Sequence, residues 1–172
     1  MSTLPIPMLE ELKHILSGEI EDYRQLLFLT QHERAALQSG SLIELMATTQ
    51  DKTHLLQQLT ESSRSRQQIG TKLAETAKLP SEASLADLLP FCDETIGQTL
   101  NSLRQEFITL AQQLHSLNQE NRLLLQTELA RINATVNYLL PDISLSAGYS
   151  VQGAAAPSSP APAAGNVLDC HI

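Results

Sequence analysis

The side chains best suited to chemistry in this sequence are five histidines and two cysteines. A metal site needs such ligands clustered at short fixed spacings, as in an H-x-x-x-H pair on one helix face. His14, His32, His54 and His115 each stand alone, and Cys92 is far in sequence from all of them. Cys170 and His171 adjoin, but in a stretch of small residues that cannot hold two ligands in place. There is no glycine loop of the kind that cradles phosphate and no G-x-S-x-G elbow. Carboxylate neighbours such as Glu10 and Glu11 suit a solvated helix face better than an acid–base dyad. The sequence therefore predicts no enzyme, no metal site and no cofactor.

Two further positions bear on chemistry. "KHILSG", with His14 and Gly18, resembles the H-x-L-K-G motif of histidine phosphotransfer domains, in which an exposed histidine accepts a phosphoryl group. Ser17 stands where that motif has its lysine, and Glu19, Glu21 and Asp22 would repel a phosphate, so a plain surface histidine is expected. Arg64 and Arg66 in "ESSRSRQQ" are expected to be solvated rather than to form an anion site.

Bulk properties turn attention from catalysis to binding. The 172 residues carry a formal net charge of −8, which disfavours nucleic acid and anionic membrane surfaces as partners. Hydrophobic residues make up 42% but aromatics only 3%, a leucine-rich mixture that builds helices better than sheets. No apolar run reaches the roughly 18 residues of a membrane span. "MSTLPIPMLEELK" lacks a basic leader before an apolar stretch, so no secretory signal is expected. Two distant cysteines make a disulfide framework improbable and fit the reducing cytoplasm, and "DCHI" is not a prenylation box.

Periodicity then assigns the elements. Leu9, Leu12, Leu16, Ile20, Tyr23, Leu27, Thr30 and Leu37 form one face of a first helix opening near Pro7. Gly40 is expected to close it, and Ser41 with Glu44 to cap the next as an S-x-x-E box. The second helix is expected from about Leu42 to Ala77. Its stripe is Leu42, Leu45, Thr49, Lys52, Leu56, Leu59, Ser63, Arg66, Gly70 and Leu73. The polar second half of that stripe implies loose packing, or a seam against another polar surface. A break between Pro80 and Pro90 holds a short helical segment capped by Ser81 or Ser84. From about Asp93 a long helix carries Leu100, Leu103, Phe107, Leu110, Leu114 and Leu117, then Leu125, Leu129, Ile132, Val136 and Leu139. Successive four-residue steps after Leu117 are a stutter, which is expected to shift the apolar face.

The fold class is therefore all-α: an elongated antiparallel bundle of three long helices, or four segments if the last one folds back near Asn118 and Asn121. Residues 1–141 form the bundle. Residues 142–172, rich in Ala, Ser, Pro and Gly, form a disordered tail. Straight helices would span roughly 46, 54 and 70 Å, so the last outruns its neighbours. Leu123, Leu124 and Leu125 are consecutive and spread over about 200° of circumference, wider than a hairpin covers. The predicted interaction surface is Leu124, Leu125, Leu129, Ile132, Val136 and Leu139, with Asn118 and Asn121 marking its boundary with the bundle.

Three segments are similar to one family in order along the chain. "DKTHLLQQLTESSR" (51–64) resembles the E-K-x-x-L-L-x-x-L…R signature of FlgN-type flagellar export chaperones. "LNQENRLLLQTELARINATVNYL" (117–139) resembles that family's L-N-x-x-N-G-x-L segment, and "YSVQG" (149–153) its tail Y-x-x-x-G. Asp51 replaces the usual Glu, and Arg122 stands where the family prefers Gly. The resemblance implies a cytoplasmic, non-enzymatic chaperone of the flagellar type III export system. Its clients would be the hook–filament junction proteins FlgK and FlgL, held by the C-terminal half of the last helix. Tyr149 would then contact the export gate, with Gly153 allowing a local bend. Two other readings compete with it: a generic coiled-coil adaptor of a secretion or motility machine, and the phosphotransfer domain.

Overall fold

The computed structural model describes residues 4–139. Helix α1 spans Ile6–Ser39, α2 Leu42–Ala77, the single-turn α3 Leu85–Leu88, and α4 Glu94–Leu139, with a 3-10 turn at Leu89–Phe91. Among the described residues there is no β-strand. α4 runs unbroken through Asn118 and Asn121, so the last helix does not fold back.

Local chemistry explains where the helices end. Pro5 and Pro7 bracket the start of α1, positions where a missing N–H costs nothing. Gly40 closes α1 at φ 70°, and its N–H bonds to the carbonyl of Ala36. The capping box expected at Ser41 is absent, because the Ser41 side chain makes no capping bond. Such a box forms at α3 instead, where the Ser84 N–H and hydroxyl donate to Asp87 Oδ2 at 2.9 and 2.7 Å.

α1 is the middle helix. It packs against both α2 and α4, which make little backbone approach to each other. Ion pairs fix the directions: Glu19–Arg66 and Glu33–Lys52 run antiparallel between α1 and α2. Arg24–Glu106 and Arg34–Glu120 run parallel between α1 and α4. The main apolar core lies at the α3 end, where Leu9, Leu12, Leu16, Ile69, Leu73, Leu85, Leu88 and Leu100 meet. It thins along the bundle to Ile20 with Phe107, then to Leu26, Leu55, Leu59 and Leu114. Towards the α1–α2 loop the buried residues are Thr30, Ala36, Thr48 and Asn121. One end is thus an oily core and the other a polar seam.

Two expectations change. In the first half of α2 the buried line is Thr48, Leu55 and Leu59, while Leu42 and Leu56 are exposed. The reason is that this half packs mainly on α1 and reaches α4 only through Leu55 and Leu59 near Leu114 and through Lys52 on Asn118, which leaves Leu42 and Leu56 outside. In the second half Ile69 and Leu73 pack into the apolar core, and Arg66 meets a buried acidic partner. Arg66 is not solvated; its Nε donates to Glu19 Oε2 at 2.8 Å, with the guanidinium 5.8 Å from the centre of the Phe107 ring.

The second change concerns α4. At roughly 100° per residue, Phe107, Leu114 and Asn121 fall in the same arc of about 80° as Leu125, Leu129, Ile132, Val136 and Leu139. The stutter does not move the apolar face away from α1. It resets the drift that heptads accumulate and keeps the face aligned. What ends is the cover: Leu37 of α1 and Leu45 of α2 line one groove with Leu125, and both helices stop within a turn of that level. Among the described residues, about 13 residues of α4, roughly 20 Å, continue without a neighbouring helix.

Candidate functional site

The unpaired end of α4 is built by continuity. Leucines and β-branched residues repeat along the buried face of α4 and simply persist where α1 and α2 stop. Leu125, Leu129, Ile132 and Leu139 are exposed, Ile132 at 54%. Val136 is half-buried. Their steps of four, three, four and three form the seam of a coiled coil that has no second strand among the described residues. Leu124 is half-buried and lies outside this arc. Glu128 and Arg131 pair at 2.9 Å on the flank, and Asn133 and Asn137 are exposed beside the ridge.

The two boundary asparagines differ. Asn118 is exposed, and its Oδ1 accepts a bond from Lys52 Nζ at 3.4 Å. Asn121 is 4% exposed, and its Nδ2 donates to the Thr30 carbonyl at 2.9 Å and to Glu33 Oε2 at 3.0 Å. Glu33 also accepts from Lys52 at 2.8 Å, so one polar cluster ties α1, α2 and α4 together. Asn121 is therefore a bundle residue that positions the ridge, while the exposed apolar residues beyond it are free to meet a partner. Tyr149 and Gly153 lie outside the described residues.

Comparison with known proteins bears on this geometry. The family model described as FlgN protein matches residues 8–157, most of the chain. The chain belongs to the FlgN family. That family is one of flagellar export chaperones, not of enzymes. No curated protein and no solved structure matches the chain.

Among the described residues, no group of His, Cys, Asp and Glu is placed to hold a metal ion, and no helix is long and apolar enough to cross a membrane. His14 is exposed, and the adjacent Lys13 is paired with Glu10. Cys92 is half-buried, its Sγ 3.4 Å from the Leu88 carbonyl, and burial pushes its thiol pKa up, away from reactivity. Sequence reasoning missed Tyr138, exposed at the end of α4, and the tip of α2, where Leu42, Ile43 and Met46 are all exposed. The tip was legible as three apolar residues within the first turns of a helix, but the stripe had assigned Leu42 to the core.

Proposed function

We propose that this FlgN-family chaperone acts in the cytoplasm and holds the hook–filament junction proteins FlgK and FlgL. It does so through Leu125, Leu129, Ile132, Val136 and Leu139, and it delivers them to the export gate through Tyr149 and Gly153. The observation that carries the reading is a heptad-spaced apolar ridge on a helix that outruns both of its neighbours. A client's amphipathic helix is the natural second strand for such a ridge. Holding that helix would keep it from associating with other clients before export.

The magnitudes favour a reversible complex. Fully burying the four ridge residues beyond Leu125, which are already partly covered, yields less than the about 6–12 kcal/mol of four fully exposed side chains at about 1.5–3 kcal/mol each. Association costs about 4–15 kcal/mol in lost freedom, and ordering a client helix adds to that. A ridge alone therefore holds a client loosely, as release at a gate requires. Asn133 and Asn137 keep the empty ridge soluble. The test is capture of FlgK or FlgL by ridge variants that melt normally. Unchanged capture would contradict the client assignment.

A further inference from the structure

We propose that the chain covers its own ridge: residues 143–151 turn back after Pro141 and lie along the apolar face of α4, from Leu139 toward Leu125. The cover itself stands on the ridge geometry and the sequence that follows it. That a client must displace this cover rests on the client reading above.

The sequence beyond α4 names the occupant. Ile143, Leu145, Ala147, Tyr149 and Val151 alternate without a break with Ser144, Ser146, Gly148 and Ser150. Strict alternation gives an extended segment one apolar and one polar face, the pattern of a half-buried strand. Among the described residues there is no β-strand for such a segment to join. The apolar surface nearest to its start is the ridge, where Ile132 is 54% and Leu139 67% exposed. Helices end at or before the residue preceding a proline, so Pro141 leaves residues 140–142 for the reversal.

The lengths agree. From Ile143 to Val151 an extended chain covers about 26 Å. Leu125 to Leu139 spans about 21 Å of helix. Ile143 then starts beside Leu139, and Val151 reaches just past Leu125. There a groove of about 330 Å³, lined in part by Leu37, Leu45 and Leu125, receives it. Residues 143–153 carry no charge, so nothing ionised is brought onto the ridge. The serines face water, which also hydrates the backbone of a segment without a strand partner.

Tethering favours this occupant over a second copy. A segment joined through so short a link meets the ridge at an effective concentration of about millimolar. It gives up none of the translational freedom that a separate molecule loses on docking. A weak contact is therefore enough to make the cover, adds little to the stability of the bundle, and yields to a client.

The experiment is hydrogen exchange of the α4 amides in three full-length chains, each at two protein concentrations. They are the parent, Ile143→Asp with Leu145→Asp on the apolar face, and Ser144→Asp with Ser146→Asp on the polar face. Melting curves verify that all three fold alike. The expected result is exchange over residues 125–139 that is about threefold or more faster in the apolar-face variant, and parent-like in the polar-face variant. Equal exchange in all three chains, or equal acceleration in both variants, would overturn the cover. Protection that grows with protein concentration and persists in the apolar-face variant would assign the ridge to a second copy and overturn it as well. Titration with purified FlgK and FlgL reads the competition: the apolar-face variant should bind about threefold or more tightly than the parent. Faster exchange with parent-like affinity would overturn the competition between cover and client. Faster exchange with no client binding by any of the three chains supports the cover and fails the client reading.

Discussion

Asn121 donates from Nδ2 to the backbone carbonyl of Thr30 at 2.9 Å, across the seam between α1 and α4. The two are among the few buried polar residues, and Thr30 also returns its own hydroxyl to the Leu26 carbonyl at 2.7 Å. A buried asparagine opposite one fixed carbonyl tolerates no sliding of α4, so it sets how far that helix protrudes. Asparagine at a seam gives up stability and fixes register, as it does in coiled coils.

Replacing Asn121 by Leu removes its bonds to the Thr30 carbonyl and to Glu33 from a polar seam, and should cost about 1–3 kcal/mol. Register should suffer as well. Spin labels at Gln38 and Arg131 should give one distance in the parent and a broadened or second distance in the variant. A single unchanged distance would remove Asn121 from the role of register lock.

Burial separates core from ridge. Leu12 is fully buried at the α3 end, so Leu12→Ala should cost about 2–5 kcal/mol in urea unfolding. Ile132 projects from the overhang, and Ile132→Ala should change stability by no more than about 0.5 kcal/mol. Comparable losses from the two would mean that the overhang is covered in solution.

The sequence made some of this legible and not the rest. Helix boundaries followed from Pro7, Gly40 and the apolar periodicity, because those signals act locally. The over-long last helix was legible from counting, and its exposed ridge from width. Which α2 residues are buried was not, since a three-helix arrangement with α1 in the middle leaves Leu42 and Leu56 outside although their spacing is faultless. Arg66 likewise looked like a surface residue until Glu19, 47 positions away, was placed beside it. Long-range pairing of that kind leaves no trace in local spacing.

Glu19 offers a test of the buried pair. It is 1% exposed, and burial raises its pKa above the ordinary value of 4.5, although Arg66 pulls it down. A raised folded-state pKa means that the native chain binds this proton more tightly than the unfolded chain. This contribution to stability is therefore present at pH below 4.5 and is lost as pH rises through the raised value. Unfolding free energy of the parent relative to Glu19→Gln should fall as pH rises above 4.5 and level off beyond the raised value. A difference that grows with pH would contradict the assignment.

The tail can be separated from the ridge. Deleting the chain from Ala147 onward removes Tyr149 and Gly153 but leaves α4 intact. Export of the junction proteins should be lost while their binding persists, read as secreted protein against co-purified complex. Continued export would dismiss Tyr149 as the gate contact.

The central claim is that the unpaired end of α4 holds the client. Calorimetric titration of FlgK or FlgL into the parent, Leu125→Ala and Ile132→Ala, each with its melting curve, tests it most directly. The predicted result is affinity reduced by about tenfold or more in both variants at an unchanged melting midpoint. Parent-like affinity in both would contradict the account.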